Sequence, residues 1–220
     1  MVSIAIDGPA GAGKSTISRK VAEILGYIYV DTGALYRAIG FKLLELNINI
    51  KSDCNIEEIL KNTTVNICFV NGEQRVFLDG NDVSEKIRTP EISKMASDVS
   101  AKPEVRAFLL EMQRRLAKEN NVIMDGRDIG TVVLPNATIK IYLTASAESR
   151  AERRYKELIE KGMSVVYEDV YNDMVKRDFN DANREIAPLK QADDAIVVDT
   201  TNYDLSQSIE LILKLIKEKI

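Results

Sequence analysis

The feature that most constrains the fold is a glycine-rich segment near the beginning of the chain. Residues 8–15 fit the phosphate-binding pattern G-x-x-x-x-G-K-[ST]. A short apolar run ends just before it at Asp7, and an amphipathic helix is predicted to start near Lys14. A strand, a glycine loop and a helix in this order predict a P-loop that binds a nucleoside triphosphate. The predicted loop residues are Gly8, Pro9, Ala10, Gly11, Ala12, Gly13, Lys14, Ser15 and Thr16.

The residue types of this loop suit a polyphosphate. Glycines let successive backbone N–H groups point into one concavity, and the N-terminus of the following helix adds partial positive charge. Lys14 can reach the β- and γ-phosphates as a mobile point charge. Ser15 can supply a hydroxyl ligand to Mg²⁺, whose other ligands are phosphate oxygens and waters. We therefore predict Mg²⁺ as the cofactor, with Ser15 as its protein ligand.

Short apolar runs alternate with helical periodicity along the chain. Such runs are typical of strands that are buried on both faces of a parallel sheet. The runs are Ser3–Asp7, Tyr27–Val30, Val122–Asp125, Ile139–Thr144 and Ala195–Asp199. The predicted fold class is therefore α/β, with a parallel sheet core flanked by helices on both faces. The last helical stretch, from Leu205 to Ile216, is expected to dock on this core, and the chain is expected to be a monomer.

One region departs from this pattern. Between about residues 63 and 84, apolar and polar residues alternate, and Asn71–Gly72 and Asp79–Gly80 mark two tight turns. This pattern predicts a small antiparallel β insertion. We see no internal repeat or flexible linker, so residues 1–220 are predicted to form a single domain.

Composition excludes several kinds of chemistry. The chain has 30 Lys and Arg against 34 Asp and Glu, a net charge of −4, which argues against general nucleic-acid binding. It has no histidine, which excludes imidazole relays and imidazole metal ligands. Cys54 and Cys68 are too few for a zinc site. No signal-peptide pattern or membrane-spanning run is evident, so we expect a cytoplasmic protein with no membrane partner.

A P-loop alone leaves several protein classes open. The guanine-reading string Asn-Lys-x-Asp and the switch string Asp-x-x-Gly of regulatory GTPases are both absent from the sequence. Motor and AAA-type ATPases are usually larger and often have an acidic pair after the second nucleotide strand. Here the run Val122–Asp125 is followed by Arg127. A small phosphotransferase is left, and such an enzyme needs a second site for an acceptor.

Arginines mark the predicted acceptor site, because a guanidinium binds phosphate in a bidentate manner. Arg37 follows the second predicted strand and Arg127 follows the third, so both lie near the sheet edge where α/β proteins bind ligands. The spacing of Arg177, Asp181 and Arg184 predicts that they share one helical face. The alternative for each of these groups is an ordinary surface ion pair.

Four segments make the sequence recognisable. They are residues 6–16 (IDGPAGAGKST), 31–37 (DTGALYR), 125–133 (DGRDIGTVV) and 183–189 (NREIAPL). Together they resemble the bacterial cytidylate kinase family, and the resemblance covers nearly the whole chain. It implies the nucleoside monophosphate kinase fold, with a monophosphate-binding insertion at about 63–84 and a LID at about 150–165. It also implies ATP-dependent phosphorylation of CMP and dCMP to CDP and dCDP, with Mg²⁺.

The resemblance also implies roles for individual residues. The implied catalytic residues are Lys14, Arg127, Arg177 and Arg184. The implied CMP-binding residues are Thr32, Tyr36, Arg37, Ser97, Arg106, Arg127, Asp128, Arg177, Asp181 and Arg184. On the ATP side, the resemblance adds Arg153 and Arg154 to the P-loop. The family often has Ser where this chain has Thr32, which keeps the hydroxyl.

The chemistry of cytosine fits these residues. Its exocyclic amine is a donor that Asp128 and Ser97 can accept, and its N3 and O2 atoms are acceptors that suit Arg106. Uracil presents an acceptor where cytosine has the amine, and a buried polar mismatch costs about 1–3 kcal/mol. Because the acceptor phosphate is already largely ionised near neutral pH, no general base is required.

Two alternatives stay open at this point. The first is another nucleoside monophosphate kinase, or a small-metabolite kinase, with the same core. The second is a P-loop regulatory or binding protein with little transferase activity, which would bind a nucleoside triphosphate without acceptor-dependent turnover.

Overall fold

A computed structural model describes residues 1–50 and 55–220 of the chain, so Cys54 lies outside the described residues. In chain order the elements are β1 (Ser3–Asp7), α1 (Lys14–Leu25), β2 (Ile28–Asp31), α2 (Thr32–Glu45), α3 (Ile56–Lys61), β3 (Val65–Val70), β4 (Glu73–Leu78), β5 (Asn81–Asp82), α4 (Pro90–Ser100), α5 (Pro103–Glu119), β6 (Val122–Gly126), β7 (Ile139–Thr144), α6 (Ala147–Glu160), α7 (Tyr167–Asn183), β8 (Ile196–Asp199) and α8 (Leu205–Lys217). A 3₁₀ turn covers Lys86–Arg88, and a π-helical turn covers Ile129–Val133.

The main sheet is parallel, with the strand order β2-β6-β1-β7-β8. Its central strand β1 alternates, so Ile4 and Ile6 pack on the face that α1 and α8 cover, whereas Ala5 packs on the face that α5 covers. All three side chains are fully buried. The predicted α/β fold class is therefore confirmed. Within the described residues, no helix combines the length and apolar character needed to cross a bilayer.

The predicted antiparallel insertion is also present, as a sheet of order β3-β4-β5. Its turns fall on Asn71–Gly72 and Asp79–Gly80, whose φ angles of 53°, 79°, 49° and 81° are all positive. Two consecutive positive φ angles define the type I′ turn, which suits the twist of a hairpin. The Gln74 side chain joins this hairpin to the main sheet, since it accepts from the Asp31 amide at 2.8 Å and donates to the Asp31 carbonyl at 3.2 Å.

The expectation of one helical face through Arg184 needs a correction. Helix α7 ends at Asn183, and the backbone of Arg184 is extended, with ψ of 143°. The chain then turns back toward the end of α7, and the Leu189 amide, just after Pro188, donates to the Asp181 carbonyl at 2.7 Å. A residue that precedes proline avoids the helical region, so Ala187 cannot easily continue the helix. Arg184 therefore leaves the helix and reaches a different set of partners from Arg177.

Helix α8 packs against α1 and the main sheet through Ile212 and Ile216, which are fully buried. Docking on the chain's own core was the predicted arrangement, although Leu205 at the helix start is half exposed.

We expect Ile212→Ala to lower the unfolding free energy by about 2–5 kcal/mol, because it leaves a cavity in the core. Denaturant titration measures this change. Leu205→Ala is the control, with a change within about 0.5 kcal/mol; equal effects of the two variants would contradict the packing.

Candidate active site

The P-loop connects the end of β1 to the start of α1. Gly8 has φ of 150°, and a Cβ there would lie 1.9 Å from the Leu143 carbonyl oxygen, so the close approach to β7 requires glycine. The Lys14 Nζ donates to the carbonyls of Gly8 and Pro9, both at 2.8 Å. The lysine side chain therefore curls back over the loop, with its ammonium group at the position that a phosphate-binding loop requires.

Lys14 is buried, and its surroundings disfavour the charged form of its side chain. Burial lowers the pKa of its ammonium group well below the usual range, and the nearby Arg127 lowers it further. Asp125 and Asp7 act in the opposite direction. A buried positive charge with incomplete compensation favours the binding of an anion, because electrostatic attraction is stronger away from bulk water.

Asp125 was not among the predicted site residues, and the structure places it beside the P-loop. Asp125 lies near the carboxyl end of β6. Its Oδ2 accepts from the Ser15 hydroxyl and its Oδ1 accepts from the Tyr29 hydroxyl, both at 2.8 Å. The Thr32 hydroxyl donates to its carbonyl, also at 2.8 Å. Its signal in the sequence was an acidic residue at the end of an apolar strand, and sequence alone did not show that β6 adjoins β1.

The hydroxyl of Ser15 and one carboxylate form a donor set that fits Mg²⁺, which takes few protein ligands and several phosphate oxygens or waters. Among residues 1–50 and 55–220, no group of three or more acidic or cysteine side chains could hold a metal ion. A metal ion at Ser15 would therefore depend on phosphate oxygens for most of its ligands.

Three predicted arginines lie close together, and two of them, Arg127 and Arg177, lie near Lys14. Arg127 donates from Nε to Asp181 at 2.8 Å, and Arg37 donates to Asp31 at 2.7 Å. Arg177 has no ion pair among the described residues, and its buried Nε has no hydrogen-bond partner there. Burial, Arg127 and Arg37 lower its pKa to about 10. Only Arg177 of the three is without an ion pair among the described residues, and its cationic neighbours repel it, so the cluster is suited to bind an anion.

The predicted base-reading residues form a buried network beside this cluster. Asp128, which is 4% exposed, forms an ion pair with Arg106 through one oxygen and with Arg184 at 3.3 Å through the other. Arg106 donates to the Ser100 carbonyl at 3.1 Å, and its guanidinium lies 5.5 Å from the centre of the Tyr36 ring. Segments that are far apart in the sequence therefore meet around the Asp128 carboxylate.

An open cavity of about 240 Å³ lies at the edge of this network. Ser97, the remaining predicted base-reading residue, lines it together with Asp181 and Arg184. Helices α4 and α7 thus supply opposite walls of the cavity. It brings together three of the predicted CMP-binding residues, Ser97, Asp181 and Arg184.

Two further residues, which the sequence analysis did not select, connect the region predicted as the LID to the P-loop. Arg150 on α6 donates to the Ala10 carbonyl at 2.7 Å and pairs with Asp178 at 2.5 Å. Asp178 on α7 also accepts from the Ala10 amide at 2.8 Å. Met174 lies so close to Gly11 that a Cβ there would be 2.8 Å from its methyl group. Helices α6 and α7 are therefore in direct contact with the loop.

The predicted donor-side arginines lie elsewhere on α6. Arg153 donates to the Thr200 carbonyl at 2.6 Å, and Arg154 pairs with Glu157 at 2.7 Å on a partly exposed surface. In this structure they are not part of the cation cluster around Lys14. Their contribution to ATP binding stays a prediction.

Comparisons with known proteins show which family the chain belongs to. The chain is 56% identical to the cytidylate kinase of Caldicellulosiruptor bescii over 97% of this chain and 95% of the relative. It is 45% identical to the cytidylate kinase of Bacillus subtilis over 99% and 97%. A solved structure of an uncharacterized protein from Eubacterium ventriosum shares the fold, with a TM-score of 0.54, 14% identity and 99% and 98% coverage. The model of the cytidylate kinase family matches residues 4–218, and the chain therefore belongs to this family.

Proposed function

We propose that the protein transfers the γ-phosphoryl group of ATP to the phosphate of CMP or dCMP, which yields ADP and CDP or dCDP. One observation carries the proposal: an unpaired Arg177 and a buried Lys14 flank a loop built for phosphates, next to the polar network around Asp128. Membership of the cytidylate kinase family supports the same reaction.

Catalysis in this site rests on position and charge. The acceptor is a phosphate oxygen, so the absence of histidine is no obstacle, and no residue has to remove a proton. Phosphoryl transfer passes through a loose transition state whose charge is spread over the equatorial oxygens. Lys14, Arg127 and Arg177 supply cations for these oxygens from separate elements, and each is held by the fold before substrate arrives.

When bound, Mg²⁺ would supply positive charge that neutralises part of the phosphate charge. Ser15 would hold it directly, and Asp125, which accepts from the Ser15 hydroxyl at 2.8 Å, would orient it through that hydroxyl or through a water. The predicted LID at about 150–165, which includes most of α6, would cover the loop and exclude water from the transfer. The cytoplasmic location, the monomeric state and the absence of nucleic-acid binding stay predictions.

The test is ADP formation with Mg-ATP and a panel of CMP, dCMP, UMP, AMP and GMP, with ATP alone as the blank. We expect the fastest turnover with CMP or dCMP. Fastest turnover with another monophosphate would keep the fold and the chemistry but reject the base-reading residues. ADP formation without any acceptor would indicate an ATPase, and ATP binding without turnover would indicate a binding protein.

Asp128→Asn tests the base-reading network. Asparagine keeps the shape but presents an amide that cannot accept from Arg106, Arg184 and the cytosine amine together. We expect the preference for CMP over UMP, measured as a ratio of kcat/KM values, to fall about ten- to a hundredfold. Asp173→Asn, an exposed change of the same charge on α7, is the control. Unchanged discrimination in the Asp128 variant would place base reading elsewhere.

A further inference from the structure

Asp7 is a buried carboxylate for which the reaction described above has no use. It is the last residue of β1, immediately before the P-loop, and it is 4% exposed. Both of its oxygens are occupied: Oδ1 accepts from the Ile129 amide at 2.8 Å, and Oδ2 accepts from the Gly130 amide at 2.7 Å. Such a bidentate arrangement fixes the orientation of both peptide groups.

These two amides begin the π-helical turn that follows Arg127 and Asp128 directly. The turn closes on Asp128, whose carbonyl accepts from the amides of Val132 at 2.9 Å and Val133 at 3.1 Å. A π-helical turn is a rare backbone form that is frequent at functional sites. Asp7 thus holds the backbone directly after Arg127 and Asp128. Arg127 pairs with Asp181, and Asp128 pairs with Arg106 and Arg184.

The fit around this contact is tight. A Cβ at Gly130 would lie 3.3 Å from Oδ2 of Asp7 and 3.1 Å from Cδ of Lys140, so the amide approaches the carboxylate closely because residue 130 is glycine. On the other side, Asp7 continues into Gly8, where the chain leaves β1 for the phosphate loop. One side chain therefore connects the beginning of the donor loop with the segment that carries the predicted acceptor residues.

The charge of Asp7 is set by its neighbours. Burial raises the pKa of its carboxyl to about 6; the two amides lower it, Asp128 raises it, and Lys14 lowers it. The other titratable groups near it are Tyr142, which pairs with it in register on β7, and Lys140, whose ammonium bonds Asp194 at 2.8 Å. Above about pH 6 the carboxylate accepts strongly from both amides, whereas a protonated carboxyl is a weaker acceptor, above all at its hydroxyl oxygen.

We propose that Asp7 is a positioning residue for the acceptor site: it holds the turn after β6 so that Arg127 and Asp128 are placed for the monophosphate. The proposal rests on the proposed function for the identity of the acceptor. Asp7 accepts from two backbone amides, and we expect its effect on the acceptor site to pass through the two side chains that precede them. Its charge also supports that of Lys14 on the donor side.

Two variants test the proposal from opposite sides of the contact. Asp7→Asn loses one acceptor, and Gly130→Ala pushes the amide away from the carboxylate. Because each weakens about one hydrogen bond, we expect the KM for CMP to rise about fivefold or more and the preference for CMP over UMP to fall. In Gly130→Ala, which keeps the Asp7 charge beside Lys14, the dissociation constant for ATP, measured without acceptor, should stay within about twofold of the wild-type value.

A pH profile separates this role from a merely structural one. The wild-type KM for CMP should rise as the pH falls through about 6, more steeply than in Asp7→Asn, which has no carboxyl to titrate. The acceptor phosphate titrates in the same range in both enzymes, so the difference between the two profiles isolates Asp7.

Three results would overturn the proposal: a KM for CMP within about twofold of wild type in both variants, an equal loss of ATP affinity in Gly130→Ala, or identical pH profiles. The wild-type enzyme is assayed alongside, and its acceptor-dependent ADP formation tests the proposed function separately. If wild type gave no turnover, calorimetric binding of CMP to the same proteins would still decide whether Asp7 shapes the acceptor site.

Discussion

Replacing Lys14 with alanine is expected to lower kcat about 10²–10³-fold, the typical loss for one preorganised group that stabilises transition-state charge. The Lys14 ammonium lies 2.8 Å from the carbonyls of both Gly8 and Pro9, inside the loop that would surround the β-phosphate. Arg127 and Arg37 are not free to take its place, because each is held by a carboxylate. Steady-state ADP formation with Mg-ATP and CMP measures the change.

The same substitution is expected to leave the fold intact. Burial and Arg127 already lower the pKa of Lys14, so the folded state disfavours its charge, and alanine removes that cost together with two hydrogen bonds. Lys20→Ala, on the exposed face of the same helix α1, is the control and should keep wild-type activity. A kcat for Lys14→Ala close to wild type, in a folded protein, would reject the P-loop assignment.

The parts of this fold that could be predicted from the sequence are those with a local physical cause. The type I′ turns at Asn71–Gly72 and Asp79–Gly80 need two residues that tolerate positive φ, and the sequence places such residues there. The strands of the parallel sheet are apolar on both faces because helices cover both. The P-loop carries its own backbone requirement in Gly8.

The parts that could not be predicted depend on contacts between distant segments. Asp178 accepts a hydrogen bond from the Ala10 amide, which is 168 positions away in the sequence. Asp7 accepts one from the Gly130 amide, which is 123 positions away. Neither acidic residue lies at a spacing that shows its partner, because the contact arises only when β1, β6 and α7 are assembled. Asp125 was missed for the same reason, although the predicted strand β6 ended there.

Arg177→Ala is expected to reduce kcat about 10³-fold, within the range found for arginines that stabilise phosphoryl-transfer transition states. Its buried Nε has no hydrogen-bond partner among the described residues. Arg127 and Arg37 disfavour its charge, and Asp181 and Asp178 compensate it only in part. A guanidinium in this position is suited to bind an incoming anion. Arg177→Lys keeps the charge but loses the planar fork, so it should recover part of the loss.

Stability distinguishes this role from a structural one. The pKa of Arg177 is lowered to about 10, which means that the folded protein disfavours the guanidinium charge more than the unfolded chain does. Alanine removes this repulsion, so the thermal midpoint of Arg177→Ala should equal or exceed that of wild type even as activity is lost. Arg115→Ala, on an exposed part of α5, controls for the loss of one positive charge. A lower midpoint with nearly unchanged kcat would mean that Arg177 supports the fold and that another cation serves the transferring phosphate.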